Sequence, residues 1–307
     1  MTAADRPAVA AAGADDPVRW VTEDVFERDL AAGRYRPAWT WLALDGDRVV
    51  ARAVWWGRGA APLALDCLWA DPAAGEPALL GERVLAAGLA ALRAAGVSRP
   101  PACELRLPPD WRERADVVDG VEWRRRACAA AGLTRELERL QWRWDAASAG
   151  LPEPPRRLRF EPGDDAAFLD VFRRVAAGSL DVTTRRAVED LGVEAAVAEQ
   201  LQFYRSAPGE RAWWHLARDG AGRLAGFVIP SATETGPNVG YLGIVPEARG
   251  CGLVDDLLAF VTRFQAERGA GRISATTDAT NEPMAAAFAR AGYATVERRL
   301  VLSAPAA

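Results

Sequence analysis

The stretch Ile244-Val245-Pro246-Glu247-Ala248-Arg249-Gly250-Cys251-Gly252-Leu253-Val254 constrains this chain more than any other. An apolar, strand-like run, Val239 to Val245, stops at Pro246. A helical pattern opens beyond the small-residue loop, with Leu253, Leu257, Leu258, Val261 and Phe264 on one stripe. Gly250 and Gly252 lack a Cβ, so the backbone can turn sharply and a ligand can approach it closely. The first N–H groups of the next helix have no internal partner and sit at the positive end of its dipole. Backbone alone can bind a pyrophosphate there. The loop is not of the Walker type, because no Gly-Lys-Ser/Thr follows and the chain has no lysine. Asp255 stands where a dinucleotide fingerprint needs a third Gly or Ala.

A second strand-like run, Arg272 to Thr277, leads to Asn281-Glu282-Pro283-Met284 and then to Ala287-Phe288-Ala289-Arg290-Ala291-Gly292-Tyr293. With these residues the sequence resembles the GNAT superfamily of acyl-CoA-dependent acyltransferases. Arg249-Gly250-Cys251-Gly252 is similar to that family's Arg-Gly-x-Gly loop. Asn281, followed eleven residues later by Gly292 and Tyr293, is similar to its second signature. The resemblance runs over residues 157–307. It implies an α/β fold whose mixed, mostly antiparallel sheet is flanked by helices. It also implies acetyl-CoA, or another acyl-CoA, as co-substrate. The pantetheine arm is expected along Leu242, Gly243 and Ile244, with Asn281 bonded to it. The pyrophosphate is expected on the N–H groups of Arg249, Gly250, Cys251, Gly252, Leu253 and Val254. The family's frequent tyrosine acid is replaced by Phe288, which lies at the donor site without a proton to give.

The N-terminal half repeats this pattern. Trp39 to Gly46 aligns with Trp213 to Gly220, and each continues into a second apolar strand, Val49 to Trp56 and Leu224 to Pro230. Asp-Gly between such runs signals a hairpin. The helical run Val84 to Ala95 matches Leu257 to Arg268. Ala127 to Gly132 matches Ala287 to Gly292, and Arg139-Leu140 matches Arg299-Leu300 before each closing strand. Residues 146–157, rich in Pro and Gly, read as a linker. The expectation is two tandem GNAT-like domains: 1–150, degenerate and without a CoA loop, and 151–307, catalytic. In the first, the loop position reads Asp71-Pro72-Ala73-Ala74-Gly75-Glu76-Pro77, with one glycine, two acids and a proline that has no N–H. Val121 replaces the Asn. Ten of the twelve tryptophans fall in this half, as core or as an aromatic wall for an acceptor.

Acyl transfer needs a base for the amine, donors for the oxyanion and an acid for the thiolate. In the family a base often stands four or six residues before the position of Ile244; here those residues are Gly240 and Asn238, and neither is a base. The candidates left are Asp278 (base or turn former), Asp181 (amine binder or helix cap, with Arg185 for a carboxylate), His215 (catalytic or packed) and Tyr241 (acid or core). Asp181 and Arg185 lie between two expected helices, Ala166 to Ala177 and Arg186 to Phe203.

Charge and composition narrow the function. A net charge of −4 offers no basic footprint for nucleic acid. No apolar run reaches membrane-spanning length, and Met1 to Asp16 lacks a signal-peptide pattern. Cys67, Cys103, Cys128 and Cys251 show no metal spacing, so no metal is expected and the thiols fit a reducing, cytoplasmic setting. The expected activity is transfer of acetyl from acetyl-CoA to a small-molecule amine. A donor held on an acyl carrier protein, or CoA binding without turnover, stays open. The chain is expected as a monomer (a pseudo-dimer of repeats) or a homodimer.

Overall fold

A computed structural model describes residues 6–233 and 236–305. The chain forms two compact units, Met1–Glu138 with Glu297–Ala307, and Arg139–Val296. The units interleave along the sequence, because each holds a strand encoded among the residues of the other half.

The first unit begins with α1 (Arg6–Ala11) and α2 (Glu23–Ala31). The hairpin β1 (Tyr35–Asp45) and β2 (Arg48–Arg58) follows, then β3 (Ala61–Ala70), α3 (Pro77–Ala94), β4 (Ala102–Leu107) and α4 (Ala115–Ala130). Strands β1, β2 and β3 pair antiparallel and β3 pairs parallel to β4. The second unit takes most of β5 (Arg135–Asp145), then α5 (Ala146–Ala149), β6 (Arg159–Pro162), α6 (Asp165–Ala176), α7 (Val182–Leu191) and α8 (Val193–Ser206). It continues with β7 (His215–Arg218), β8 (Leu224–Thr233), β9 (Gly236–Ile244), α9 (Val254–Ala266), β10 (Arg272–Asp278) and α10 (Glu282–Arg290). The last strand, β11 (Ala294–Ser303), returns to the first unit and pairs antiparallel with β4. In the second unit β5 takes the corresponding place, antiparallel to β10.

Both units therefore share one core order, three strands, a helix, a strand, a helix and a closing strand, to which the second unit adds β6, antiparallel to β7. Hydrophobic alternation explains the layers. In the first unit Trp55, Leu65, Leu105 and Leu300 meet α3 and α4, and Phe26, Tyr35, Val54 and Cys67 fill the opposite face. In the second, Val228, Val239, Ile273 and Trp144 meet α9 and α10. Phe227, Ile229 and Trp214 meet α6 and α8 on the other face. Trp39, Trp55, Trp111, Trp142 and Trp144 are all buried, as core packing requires.

One expectation needs correction. The helical pattern from Arg186 to Phe203 is not one helix but α7 and α8, broken at Gly192. Its φ of +78° and ψ of 158° cannot continue a helix, and only glycine holds that conformation without strain. The start of α7, capped by Asp181, meets the end of β10 through Val182 N–H and Asp278. No helix among the described residues is long and apolar enough to cross a membrane.

Candidate active site

The site begins with a bulge in β9. Ile229 opposes Tyr241 and Ser231 opposes Asn238, so β9 carries one residue too many between them. Pro230, on β8, has no N–H to miss there, and Gly240 takes a φ of +73°. A Cβ on Gly240 would lie 2.1 Å from the Ile229 carbonyl oxygen. Parallel pairing of β9 with β10 is confined to Asn238 opposite Ser274. Beyond that point no β9–β10 pairing follows among the described residues, so on that side the β9 edge at Leu242, Gly243 and Ile244 has no strand partner. Asn238 holds that pair: its Nδ2 donates to Ser274 Oγ at 3.0 Å, and its Oδ1 accepts from Gly240 N–H at 2.6 Å.

The loop after β9 is built around free amides. Gly250 and Gly252 take φ values of +76° and +67°. Among the described residues, the N–H groups of Gly250, Cys251, Gly252, Leu253 and Val254 have no hydrogen-bond acceptor, whereas Arg249 N–H is engaged with Pro246 O at 3.2 Å. The Arg249 side chain turns the other way and donates to Ile244 O, Ala177 O, Gly178 O and Val175 O, fastening the loop to the end of α6. Arg157 grips the carbonyls of Cys251 and Gly252 at 2.8 and 2.6 Å. Asp256, in the first turn of α9, holds the Arg157 guanidinium and accepts from the Arg156 and Arg157 amides at 2.9 and 2.7 Å. Burial works against its charge, but those Arg157 and Arg156 donors outweigh it and keep the carboxyl below the ordinary range. Carbonyls held back and amides left free make a concave anion site. The exposed Cys251 thiol approaches only the Arg249 carbonyl, at 3.6 Å.

Asn281 caps α10, its Oδ1 accepting from Met284 N–H at 3.4 Å, while its Nδ2 has no partner among the described residues. Phe288 is buried, stacked on Trp142 with centroids 5.5 Å apart and edge-on to Tyr293. It is a core side chain on the α9–α10 face.

Three of the four candidate catalytic residues gather on the opposite face. Asp278 ends β10 fully buried, its Oδ2 accepting from Val182 N–H at 2.6 Å. Asp181 caps α7 by accepting from Thr184 N–H at 2.6 Å. Burial, and then the charge of Asp181, push the Asp278 carboxyl above its ordinary range, against the Val182 amide and Arg139. The Tyr241 hydroxyl is pushed up to about 12 by burial and by Asp181, against its bond to Thr184 and the charge of Arg249. It stays protonated at neutral pH. His215 is not part of this group. Its Nδ1 meets Trp213 O at 2.8 Å and its ring packs edge-on to Phe260 of α9, on the other side of the sheet.

Two further residues belong to the group and were not legible in the sequence. Tyr204 of α8 lies parallel to Tyr241 at 5.5 Å, and its hydroxyl donates to the Gly240 carbonyl at 3.3 Å. Arg139 of β5 lies opposite Asp278, with Nε 3.2 Å from Oδ1. Nothing local marks either residue, because both act through pairings far apart in sequence. Among the described residues no cluster of His, Cys, Asp and Glu could hold a metal.

The first unit places different groups at the matching points. Its parallel pairing, Ala64 opposite Ala102, mirrors Asn238 opposite Ser274, so Asp66 falls at the bulge and Arg106 at the position of Asp278. Arg106 Nη2 donates to Asp66 Oδ1 at 3.0 Å, and Tyr35 and Trp20 donate to Oδ2 at 2.5 and 2.9 Å. At the start of α3, Glu76 turns its own carboxylate onto Leu79 N–H at 3.2 Å.

Residues 182–293, which lie within the second unit, match the acetyltransferase (GNAT) family. No curated protein matches the chain by sequence. Among solved structures it is similar to a GCN5-related N-acetyltransferase from Sphaerobacter thermophilus, at 17% identity and a TM-score of 0.56, over 98% of this chain and 92% of that one. It is also similar to the GCN5-related glucosamine N-acetyltransferase region of a fungal multi-domain GH3 β-N-acetylglucosaminidase. That match has 14% identity and a TM-score of 0.55, over 97% of this chain and 36% of that one. At these identities the likeness is one of fold.

Proposed function

We propose that the protein transfers acetyl from acetyl-CoA to the amine of a small molecule, with one donor site per chain, in the second unit. The observation that carries this is the run of free N–H groups from Gly250 to Val254 at the end of the β9 edge. In this reading the amides hold the pyrophosphate and the pantetheine arm lies along Leu242, Gly243 and Ile244, with Asn281 Nδ2 donating to it. Asp278 is the base, directly or through one water, Asp181 attracts the acceptor's ammonium, and Tyr241 is the proton donor within reach of the leaving thiolate. His215 is packing. The first unit has no donor site, because Glu76 already occupies its helix start and Pro77 removes an amide.

Calorimetry tests the donor site. One CoA should bind per chain, and Gly252→Asp, which sets a negative side chain in a left-handed loop position, should abolish binding. Unchanged affinity in that variant refutes the assignment. Turnover of acetyl-CoA against a panel of primary amines tests the reaction. CoA binding with no amine accepted would leave a CoA-binding protein without turnover. Acceptance only of carrier-bound acyl groups would replace the donor.

A further inference from the structure

Asp278 is fully buried, yet its Oδ1 accepts no hydrogen bond among the described residues. Buried polar atoms nearly always have a partner, so an exception asks for a cause. Arg139 of β5 lies directly opposite, its Nε 3.2 Å from that oxygen. The contact is ionic only, because Nε is itself buried and, like Oδ1, outside hydrogen-bond geometry. Oδ2 is held by the Val182 amide. The carboxylate is thus fixed through one oxygen and charge-balanced, but not capped, at the other. Asp181 on α7 also bears on it, and Asp181 in turn faces Tyr204 on α8 and Tyr241 on β9, one anion beside two neutral hydroxyls. Arg139 is the cation that offsets the Asp278 charge. The first unit shows the contrasting case: Asp66 is capped on both oxygens by Arg106, Tyr35 and Trp20.

We propose that Arg139, carried in by β5, is a positioning residue for acyl transfer: it balances Asp278 without capping Oδ1, which then receives the proton of the acceptor's ammonium. The N–H bond of the ammonium breaks and its proton passes to Oδ1, directly or through one water. The freed lone pair forms the new C–N bond, the C–S electrons of the thioester leave with sulfur, and the nitrogen's second proton ends on that thiolate, passed through Tyr241 or a water. This rests on the acyl-transfer reading above.

The test uses the full chain with Arg139→Gln, Arg139→Lys and Asp278→Asn. Carbon-13 NMR of aspartate-labelled protein follows the Asp278 carboxyl, assigned by its absence in Asp278→Asn. In Arg139→Gln its titration midpoint should rise by at least about one pH unit, and in Arg139→Lys it should return most of the way. With the best amine of the panel, Arg139→Gln should lower kcat on the acidic side of its pH profile, by up to about tenfold for a one-unit shift. The acidic limb of its pH profile should move with the midpoint, and KM for acetyl-CoA should hold. An unmoved midpoint overturns the proposal whatever happens to activity. If Arg139→Gln does not fold, a midpoint in Arg139→Lys that departs as far as one pH unit overturns it. Wild-type turnover by Asp278→Asn overturns the base reading itself. An inactive Asp278→Asn with an unmoved acidic limb removes only Arg139.

Discussion

At residue 240 the backbone decides which chemistry the strand can offer. The left-handed φ and the Ile229 carbonyl 2.1 Å from any Cβ leave no room for a side chain, so no base can project there. Gly240→Ala should cost at least about 2 kcal/mol, from the left-handed conformation and the clash together, read as a lower chemical-denaturation midpoint. The carboxylate stands instead on the next strand, at Asp278, and that placement has a pH signature. Burial and Asp181 raise its native pKa above the unfolded value, so ionising it costs the native state. Its contribution to stability is complete below the ordinary carboxylate range and is lost as pH rises through the native pKa. Asp278→Asn does not titrate, so it should melt higher than wild type at pH 8, and the gap should close toward pH 4. A gap that widens on acidification would contradict this.

At the scale of elements, the donor loop depends on side chains outside it. Arg157 holds two loop carbonyls and is itself held by Asp256. Arg157→Ala should release those carbonyls to compete for the loop's amides and weaken CoA about tenfold by calorimetry, roughly 1.4 kcal/mol. Full affinity in that variant would show that the glycines alone shape the loop. This division also explains what the sequence could tell. The loop and Asn281 are legible because spacing along the chain is their geometry. Pro230 and Gly240 also act locally, but neither residue by itself marks a bulge, which appears only in the strand register. Arg157, Tyr204 and Arg139 are not legible, since each acquires its partner only when distant strands and helices meet. The break at Gly192 was hidden for another reason: apolar periodicity continues across it, and only the backbone angle ends the helix.

At the scale of the whole molecule, the closing strands decide where the chain can be divided. A fragment of residues 157–307 lacks β5, the antiparallel neighbour of β10, and carries β11 without β4. It should fail to show a cooperative melt. A fragment of residues 139–296 keeps the strands and helices of the second unit and should melt cooperatively and bind CoA. If both fragments behave alike, β5 adds nothing that the second unit needs. The repeat itself was visible in sequence order, through Arg139-Leu140 and Arg299-Leu300. Which strand each pair would lie against was not, because register is a property of the assembled sheet.

The exchanged strands also bear on how such a gene can change. After a duplication, one copy is ordinarily free to drift and can finally be excised. Here the upstream copy can drift at its loop and exchange the residues at its bulge and strand end, as Asp66 and Arg106 show beside Gly240 and Asp278. Excision is another matter, since the deletion would carry away the strand bearing Arg139. A single strand is reason enough for the first repeat to be kept.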